Sequence, residues 1–275
     1  MSIVKNFKDR DFLKAQDDLV ILDVRYDMND GQYGRRAYEK SHAKGAGFLD
    51  MDKDLASPVE EHGGRHPLPD IVALQTTLRK LGLDNDSRVL IYDDGDNSAA
   101  GRLWWMLKYY GLEHVHVLQG GFGSLLPEDL TDREETFSQG SVELRPDASM
   151  TASYEEVLAF SKEKSPGQKI LVDSRSEERY RGLVEPVDRK KGHIRNAVNI
   201  FFRSHFDEQG RIRESALEEN FRSILPYDDV IFHCGSGVTA CTNIMAFDEL
   251  GRKSRLYVGS FSDFVSYEEN TVERD

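Results

Sequence analysis

The 275-residue chain reads as an α/β protein made of two tandem copies of one mainly parallel sheet, each copy flanked by helices. Two observations predict this. The halves align with each other: Val20-Ile-Leu-Asp-Val-Arg25 matches Ile170-Leu-Val-Asp-Ser-Arg175, and Val89-Leu-Ile-Tyr-Asp93 matches Val230-Ile-Phe-His-Cys234, so a single unit is used twice. The strand-like segments are also short continuous apolar runs interleaved with amphipathic stretches. That pattern belongs to parallel strands buried on both faces and joined by crossover helices.

In the first half the apolar run Val20-Ile-Leu22 leads through Asp23 to Arg25, and Ala46 is matched by Ala197 in the second. Leu74, Leu78 and Leu81 fall on one face of a helix, as do Leu217, Phe221 and Ile224 in the second half. The strand at Val89–Tyr92 leads to a helix beginning near Ser98 and ending at a C-cap glycine, Gly111; its counterpart after Cys234 ends at Gly251. Gly120 and Gly259 correspond further on. Asp93 stands where the second half has Cys234, and is expected to cap the helix after it or bond its own loop. Residues 129–150, with Thr131, Ser138, Gly140, Ser141 and Pro146 among many charges, read as a linker between domains at 1–128 and 151–275. A capping box from Ser153 to Glu156 opens the first helix of the second half. Ligands of such sheets sit beyond the carboxyl ends of the strands, where Cys234 falls.

Composition narrows the function. With 39% hydrophobic residues the chain can bury a real core. A formal charge of −13 repels nucleic acid and anionic lipid, so no nucleic-acid or membrane partner is expected, and an anionic substrate would need a local arginine cluster. No apolar run approaches a membrane span, the first residues MSIVKNFKDRDF lack a signal-peptide core, and a cytoplasmic location is expected. Cys234 and Cys241 are the two cysteines. If they flank the start of a helix, roughly 10 Å of rise separates them, too far for a relaxed disulfide, and Cys241 is expected to be structural. His62 with His66, and His114 with His116, lack companions that would complete a metal set, so neither metal nor cofactor is expected.

The stretch from Val230 to Ala246 runs an apolar strand into Cys234-Gly-Ser-Gly-Val-Thr-Ala240 and then a helix. A lone cysteine at a strand end is ordinarily a small buried hydrophobe. Two glycines beside it cost stability and imply a backbone bent tightly around something. If Gly235, Ser236, Gly237 and Val238 wrap around Cys234, their N–H groups and the positive end of the next helix favour a thiolate, the nucleophilic form of the side chain.

These residues resemble the tandem rhodanese-type sulfurtransferases, and within them the 3-mercaptopyruvate branch, over nearly the whole chain. The most specific part is C234-G-S-G-V-T-A240, where thiosulfate-type rhodaneses usually place two basic residues after the cysteine. D23-V-R25, D173-S-R175, G192-H-I-R-N-A-V-N199 and L256-Y-V-G-S-F-S-D263 add to the likeness. The resemblance implies two rhodanese-like domains, only the second catalytic. It implies that Cys234 takes sulfur from 3-mercaptopyruvate as a persulfide and hands it to a thiol acceptor such as thioredoxin, or to cyanide. The loop, Gly235 through Val238 and Thr239, would cradle the sulfur. Two arginines are expected to grip the keto acid, Arg179 in E178-R-Y-R-G182 and Arg189 in P186-V-D-R189, since a guanidinium fork matches a carboxylate. Ser236, His66 of R65-H-P-L-P69 and Asp52 of F48-L-D-M-D52 are expected to form a proton relay, with Asp50 the substitute for Asp52.

Three other functions compete. Cysteine phosphatases on this fold need an arginine at position 240, which is alanine. A persulfide carrier without small-molecule turnover would have no use for Arg179 and His66. A thiosulfate-preferring rhodanese keeps the nucleophile but would be served poorly by the uncharged Gly235 and Ser236.

Overall fold

The computed structural model describes residues 5–14, 18–165 and 167–274; the first four residues of the amino-terminal stretch considered above lie outside them. The chain forms two compact units, the first holding residues 1–57, 68–147 and 206–212, the second 58–67, 148–205 and 213–275.

In the first unit the elements are β1 (Phe7–Lys8), β2 (Leu19–Asp23), α1 (Tyr33–Lys40), β3 (His42–Ala43), β4 (Ala46–Phe48), α2 (Ile71–Lys80), β5 (Arg88–Tyr92), α3 (Ser98–Tyr109), β6 (Val115–Leu118) and β7 (Leu130–Thr131). Among the described residues its main sheet has the order β1-β6-β5-β2-β4, every pair parallel, with β3 and β7 forming a separate antiparallel pair. The second unit contains β8 (Thr151–Ala152), α4 (Tyr154–Lys162), β9 (Lys169–Asp173), α5 (Glu177–Tyr180), β10 (Val198–Asn199), α6 (Glu214–Phe221), β11 (Asp229–His233), α7 (Thr239–Glu249), β12 (Arg255–Tyr257) and α8 (Ser260–Phe264). Its sheet runs β8-β12-β11-β9-β10, again all parallel. The two orders are the same, with β5 and β11 in the central position, as the internal repeat requires.

Local chemistry explains the elements. Ser153 and Glu156 close a reciprocal capping box at the start of α4, the serine hydroxyl accepting from Glu156 N at 3.2 Å and Glu156 Oε2 accepting from Ser153 N at 3.1 Å. Gly111 and Gly251 lie just past α3 and α7 with φ of 97° and 69°, the left-handed conformation glycine adopts without strain. Leu74 and Leu78, and equally Leu217, Phe221 and Ile224, are buried. The central strands are buried from their second residue on, as the apolar runs Val89-Leu-Ile91 and Val230-Ile-Phe232 predict. Asp93 and Cys234 both follow such a strand. The Asp93 carboxylate accepts from the N–H groups of Gly95, Asn97 and Ala100 and so caps α3. Val142 and Leu144, between the two repeats in sequence, are buried, and Val142 N donates to Leu83 O at 2.9 Å within the first unit. Among the described residues no helix is long and apolar enough to cross a membrane.

Candidate active site

Each repeat places an aspartate at the end of its second sheet strand, with an arginine two residues on. In the second unit Arg175 Nε lies 3.0 Å from each oxygen of Asp173, and its Nη2 donates to Asp173 Oδ2 at 2.6 Å and Gly192 O at 2.7 Å. The guanidinium carbon lies 3.8 Å from the centre of the Phe261 ring. Arg25 repeats this on Asp23, Ser41 O and the ring of Phe122. Burial would raise the Asp173 carboxyl, but Arg175 and His233 outweigh it and hold the group below its ordinary value. These pairs fix the loops beyond the strand ends.

Cys234 leaves the end of β11 and is only 2% exposed. Gly237 N donates to its Sγ at 3.2 Å, and φ of 78° at Gly237 allows the turn that aims this N–H inward. The Cys234 backbone is held too: its N–H donates to Ser260 Oγ at 3.2 Å and its carbonyl accepts from Phe261 N at 3.0 Å. Gly235 O accepts from Ser262 N at 2.9 Å. Val238 precedes α7 and Thr239 is its first residue, so the loop ends at a helix amino terminus. That helix is buried from Ala240 to Phe247, and Asn243 locks it to Ser174 Oγ at 2.9 Å and Ile200 O at 2.7 Å. Cys241 is buried one turn in, its thiol 3.2 Å from Gly237 O; both cysteines are free thiols.

Ser236 is also buried, and its Oγ lies 2.8 Å from His66 Nδ1. The histidine comes from residues 58–67, which belong to the second unit although they follow the first repeat's early strands in sequence. Four interactions hold this strap. Gly63 N donates to Asp263 Oδ1 at 2.7 Å, Arg65 N donates to Ser262 Oγ at 3.2 Å, His62 Nδ1 lies 2.7 Å from Ser266 Oγ, and the His62 ring stacks on Tyr267 at 3.9 Å. Gly64, with φ of 82°, passes so near Gly259 that an added Cβ would lie 2.3 Å from its carbonyl oxygen. Asp52 belongs to the first unit, where its N–H donates to Asp50 Oδ1 at 3.0 Å and its carboxylate accepts from the Tyr26 hydroxyl at 3.3 Å.

Arginine arrives from two directions. A methyl group on Gly235 would meet Nη2 of Arg65 at 2.8 Å and Nη2 of Arg179 at 3.4 Å. Arg179 sits on α5, whose Tyr180 hydroxyl donates to Ala197 O at 2.7 Å and whose ring stacks on His193 at 3.9 Å. Its fork grips Glu185 at 3.1 and 2.8 Å, and Nη2 also reaches Asp188 Oδ2 at 3.0 Å. The Glu185 side chain is fully buried, shared with Arg175 at 3.1 Å, and accepts from the N–H groups of Val187 and Asp188. Asp188 is equally enclosed and its other oxygen bonds Arg65 Nη1. Burial lowers the Arg65 guanidinium below its ordinary value, while negative charge on the Cys234 sulfur acts the other way. Arg189 is exposed and lines a cavity of about 120 Å³ with Val59, Glu60 and Ser262.

The second unit therefore brings together Cys234, Ser236, His66 and Arg179 with the loop residues Gly235, Gly237, Val238 and Thr239. Arg65, Glu185 and Asp188 were missed by sequence reasoning. Arg65 stands next to His66 in a segment already singled out, and Glu185 and Asp188 flank the pair Pro186-Val187; Arg65 meets Asp188 across 123 residues of sequence, and the nearer bonds of Glu185 and Asp188 to Arg179 carry no mark in the sequence. Among the described residues no group of three or more His, Cys, Asp or Glu could hold a metal.

Comparison with known proteins matches this architecture. The Rhodanese-like domain profile fits residues 9–126 and again 153–267. A Pseudomonas aeruginosa protein named "Probable 3-mercaptopyruvate sulfurtransferase" is 37% identical, the alignment covering 92% of this chain and 91% of that one. The thiosulfate sulfurtransferase of Rattus norvegicus is 32% identical, over 91% and 86% of the two chains. Among solved structures, 3-mercaptopyruvate sulfurtransferase from Leishmania major superposes with a TM-score of 0.80 at 29% identity, covering 94% of this chain and 74% of that one.

Proposed function

The chain belongs to the rhodanese-like family and is a sulfurtransferase that moves sulfane sulfur, and from that premise we propose that 3-mercaptopyruvate is its donor and Cys234 its sulfur carrier. In this reading the Cys234 thiolate attacks the donor's sulfur. The carbon–sulfur bond breaks, its electron pair stays on carbon as the enolate of pyruvate, and the proton of the donor thiol ends on that carbon. The products are pyruvate and a Cys234 persulfide. An acceptor thiol then attacks the outer sulfur, leaves as its own persulfide and returns the Cys234 thiolate.

The observation that carries the donor assignment is the 2.8 Å approach of Ser236 Oγ to His66 Nδ1 beside the loop cysteine. An enolate leaving group needs a proton delivered, and a hydroxyl backed by imidazole can deliver one near neutral pH. Sulfite leaving from thiosulfate needs none. The Gly237 N–H supports charge on sulfur, and Arg179, whose Nε and Nη2 hold Glu185 while Nη2 also reaches Asp188, supplies positive charge for the keto acid's carboxylate. Gly235, Val238 and Thr239 would frame the cradle in this reading. A protein dithiol such as thioredoxin suits the acceptor role, and a reducing cytoplasm suits two free thiols.

The test is steady-state turnover of the two donors by the wild type and by His66→Ala. Pyruvate release from 3-mercaptopyruvate is expected to be the more efficient reaction and to fall by about 10²-fold or more in the variant, while thiocyanate formation from thiosulfate and cyanide changes little. Equal losses with both donors would contradict the assignment.

A further inference from the structure

Resting on 3-mercaptopyruvate as the donor, we propose that Arg65, rather than Arg189, is the second guanidinium that holds the donor's carboxylate beside Arg179, and that Asp188 is an internal carboxylate whose place the donor takes. The two nitrogens facing Gly235 belong to Arg65 and Arg179, 2.8 and 3.4 Å from where a Cβ would stand, one residue from the nucleophile. Arg65 also senses charge on the Cys234 sulfur. Arg189 is exposed; it lines a cavity that Arg65 and Asp188 also line, but takes no part in the bonds of Arg179 to Glu185 and Asp188.

Asp188 shows how an anion fits between the two guanidiniums. One of its oxygens bonds Arg65 Nη1 and the other lies 3.0 Å from Arg179 Nη2, with the side chain only 2% exposed. A donor carboxylate bridging the same two guanidiniums would make the same pair of charge-assisted bonds. Exchange of one carboxylate for another leaves the local charge as it was. A thiosulfate dianion in the same place would bring one negative charge more than Asp188 takes away, next to the buried Glu185 side chain, so the site selects against it. The arrangement depends on the strap, because the Arg65 main chain is fixed by its N–H bond to Ser262 Oγ and by the tight passage of Gly64 over Gly259.

The experiment uses the full chain and compares Arg65→Ala, Arg65→Lys, Arg189→Ala and Asp188→Asn with wild type. Michaelis constants are measured for 3-mercaptopyruvate and thiosulfate, and product inhibition with pyruvate serves as the carboxylate probe. Arg65→Ala is expected to raise the KM for 3-mercaptopyruvate by roughly 10- to 100-fold, the worth of one charge-assisted bond, and to weaken pyruvate inhibition in step. Arg65→Lys, which keeps the charge and the fold but loses the fork, should fall between. Arg189→Ala should stay within about twofold of wild type on both readings, since an exposed charge contributes little. Asp188→Asn should raise thiosulfate efficiency relative to 3-mercaptopyruvate. Wild-type KM and pyruvate inhibition in both Arg65 variants, with both lost in Arg189→Ala, would overturn the proposal while leaving the donor assignment standing. A wild-type enzyme that turned over thiosulfate alone would sink the donor assignment, and this proposal with it.

Discussion

Gly64→Ala is a single methyl group placed in the strap, two residues from His66. The structure sets its size. The new Cβ would lie 2.3 Å from Gly259 O, against about 3.4 Å for ordinary contact, so the strap must lift by about 1 Å. The obstacle is main chain and cannot rotate away. The φ of 82° at this position adds about 1–2 kcal/mol for any residue with a side chain. A 1 Å rise would break the 2.8 Å contact between His66 and Ser236, and displacement on that scale costs about 10²-fold in rate. Pyruvate release from 3-mercaptopyruvate should therefore fall about 10²-fold in kcat, with Cys234 still present and the melting temperature only modestly lowered. Because the methyl group acts through His66, adding Gly64→Ala to His66→Ala should change kcat little further. A Gly64→Ala enzyme with wild-type kcat, or a double variant whose losses multiply, would refute the reasoning.

Other outcomes follow from the same coordinates. Arg179→Ala should lower stability by about 3 kcal/mol, measured by urea unfolding, because Glu185 and Asp188 stay buried with one fewer partner; a change below about 1 kcal/mol would mean the ion cluster is not formed in solution. Burial, with Asp96 nearby, raises the Asp93 carboxyl from 3.8 to about 7. Its proton is thus kept in the folded state and lost in the unfolded one between those values, so this group makes stability fall as pH rises from about 4 to 7. Asp93→Asn should flatten that slope in urea titrations at about pH 5 and 7, and an unchanged slope would contradict the assignment. Cys241→Ala should retain persulfide formation and cost about 1 kcal/mol in stability, since the thiol is a buried neighbour of Gly237 O; loss of sulfur transfer with the fold intact would give Cys241 a chemical role.

Much of the fold was legible because it is local. The strands announce themselves by unbroken apolar runs, α4 by its Ser153–Glu156 box, α3 and α7 by Gly111 and Gly251. The repeat then implies that both halves share one strand order, as β1-β6-β5-β2-β4 and β8-β12-β11-β9-β10 do. The turn around Cys234 was legible for the same reason, since the glycines that allow Gly237 N to face Cys234 Sγ are its immediate neighbours. What could not be read was the pairing of distant segments. Nothing in Val59–His66 says that it packs with residues 259–267, or that Arg65 meets Asp188 in place of an exposed partner. Residues 206–212 likewise join the first unit, where Asn97 Nδ2 donates to Gly210 O at 2.9 Å. Such contacts depend on the shape of two surfaces once folded, and hydrophobic periodicity carries no signal for them.

Sulfur transfer in this protein turns on Cys234 becoming the carrier. Intact and peptide mass spectrometry of the full chain, after brief exposure to 3-mercaptopyruvate without acceptor, measures this. One added sulfur atom per chain, confined to the peptide containing Cys234, absent from Cys234→Ser and removed by a dithiol, is the predicted result. An unmodified Cys234 while pyruvate accumulates, or sulfur found on Cys241 instead, would contradict it.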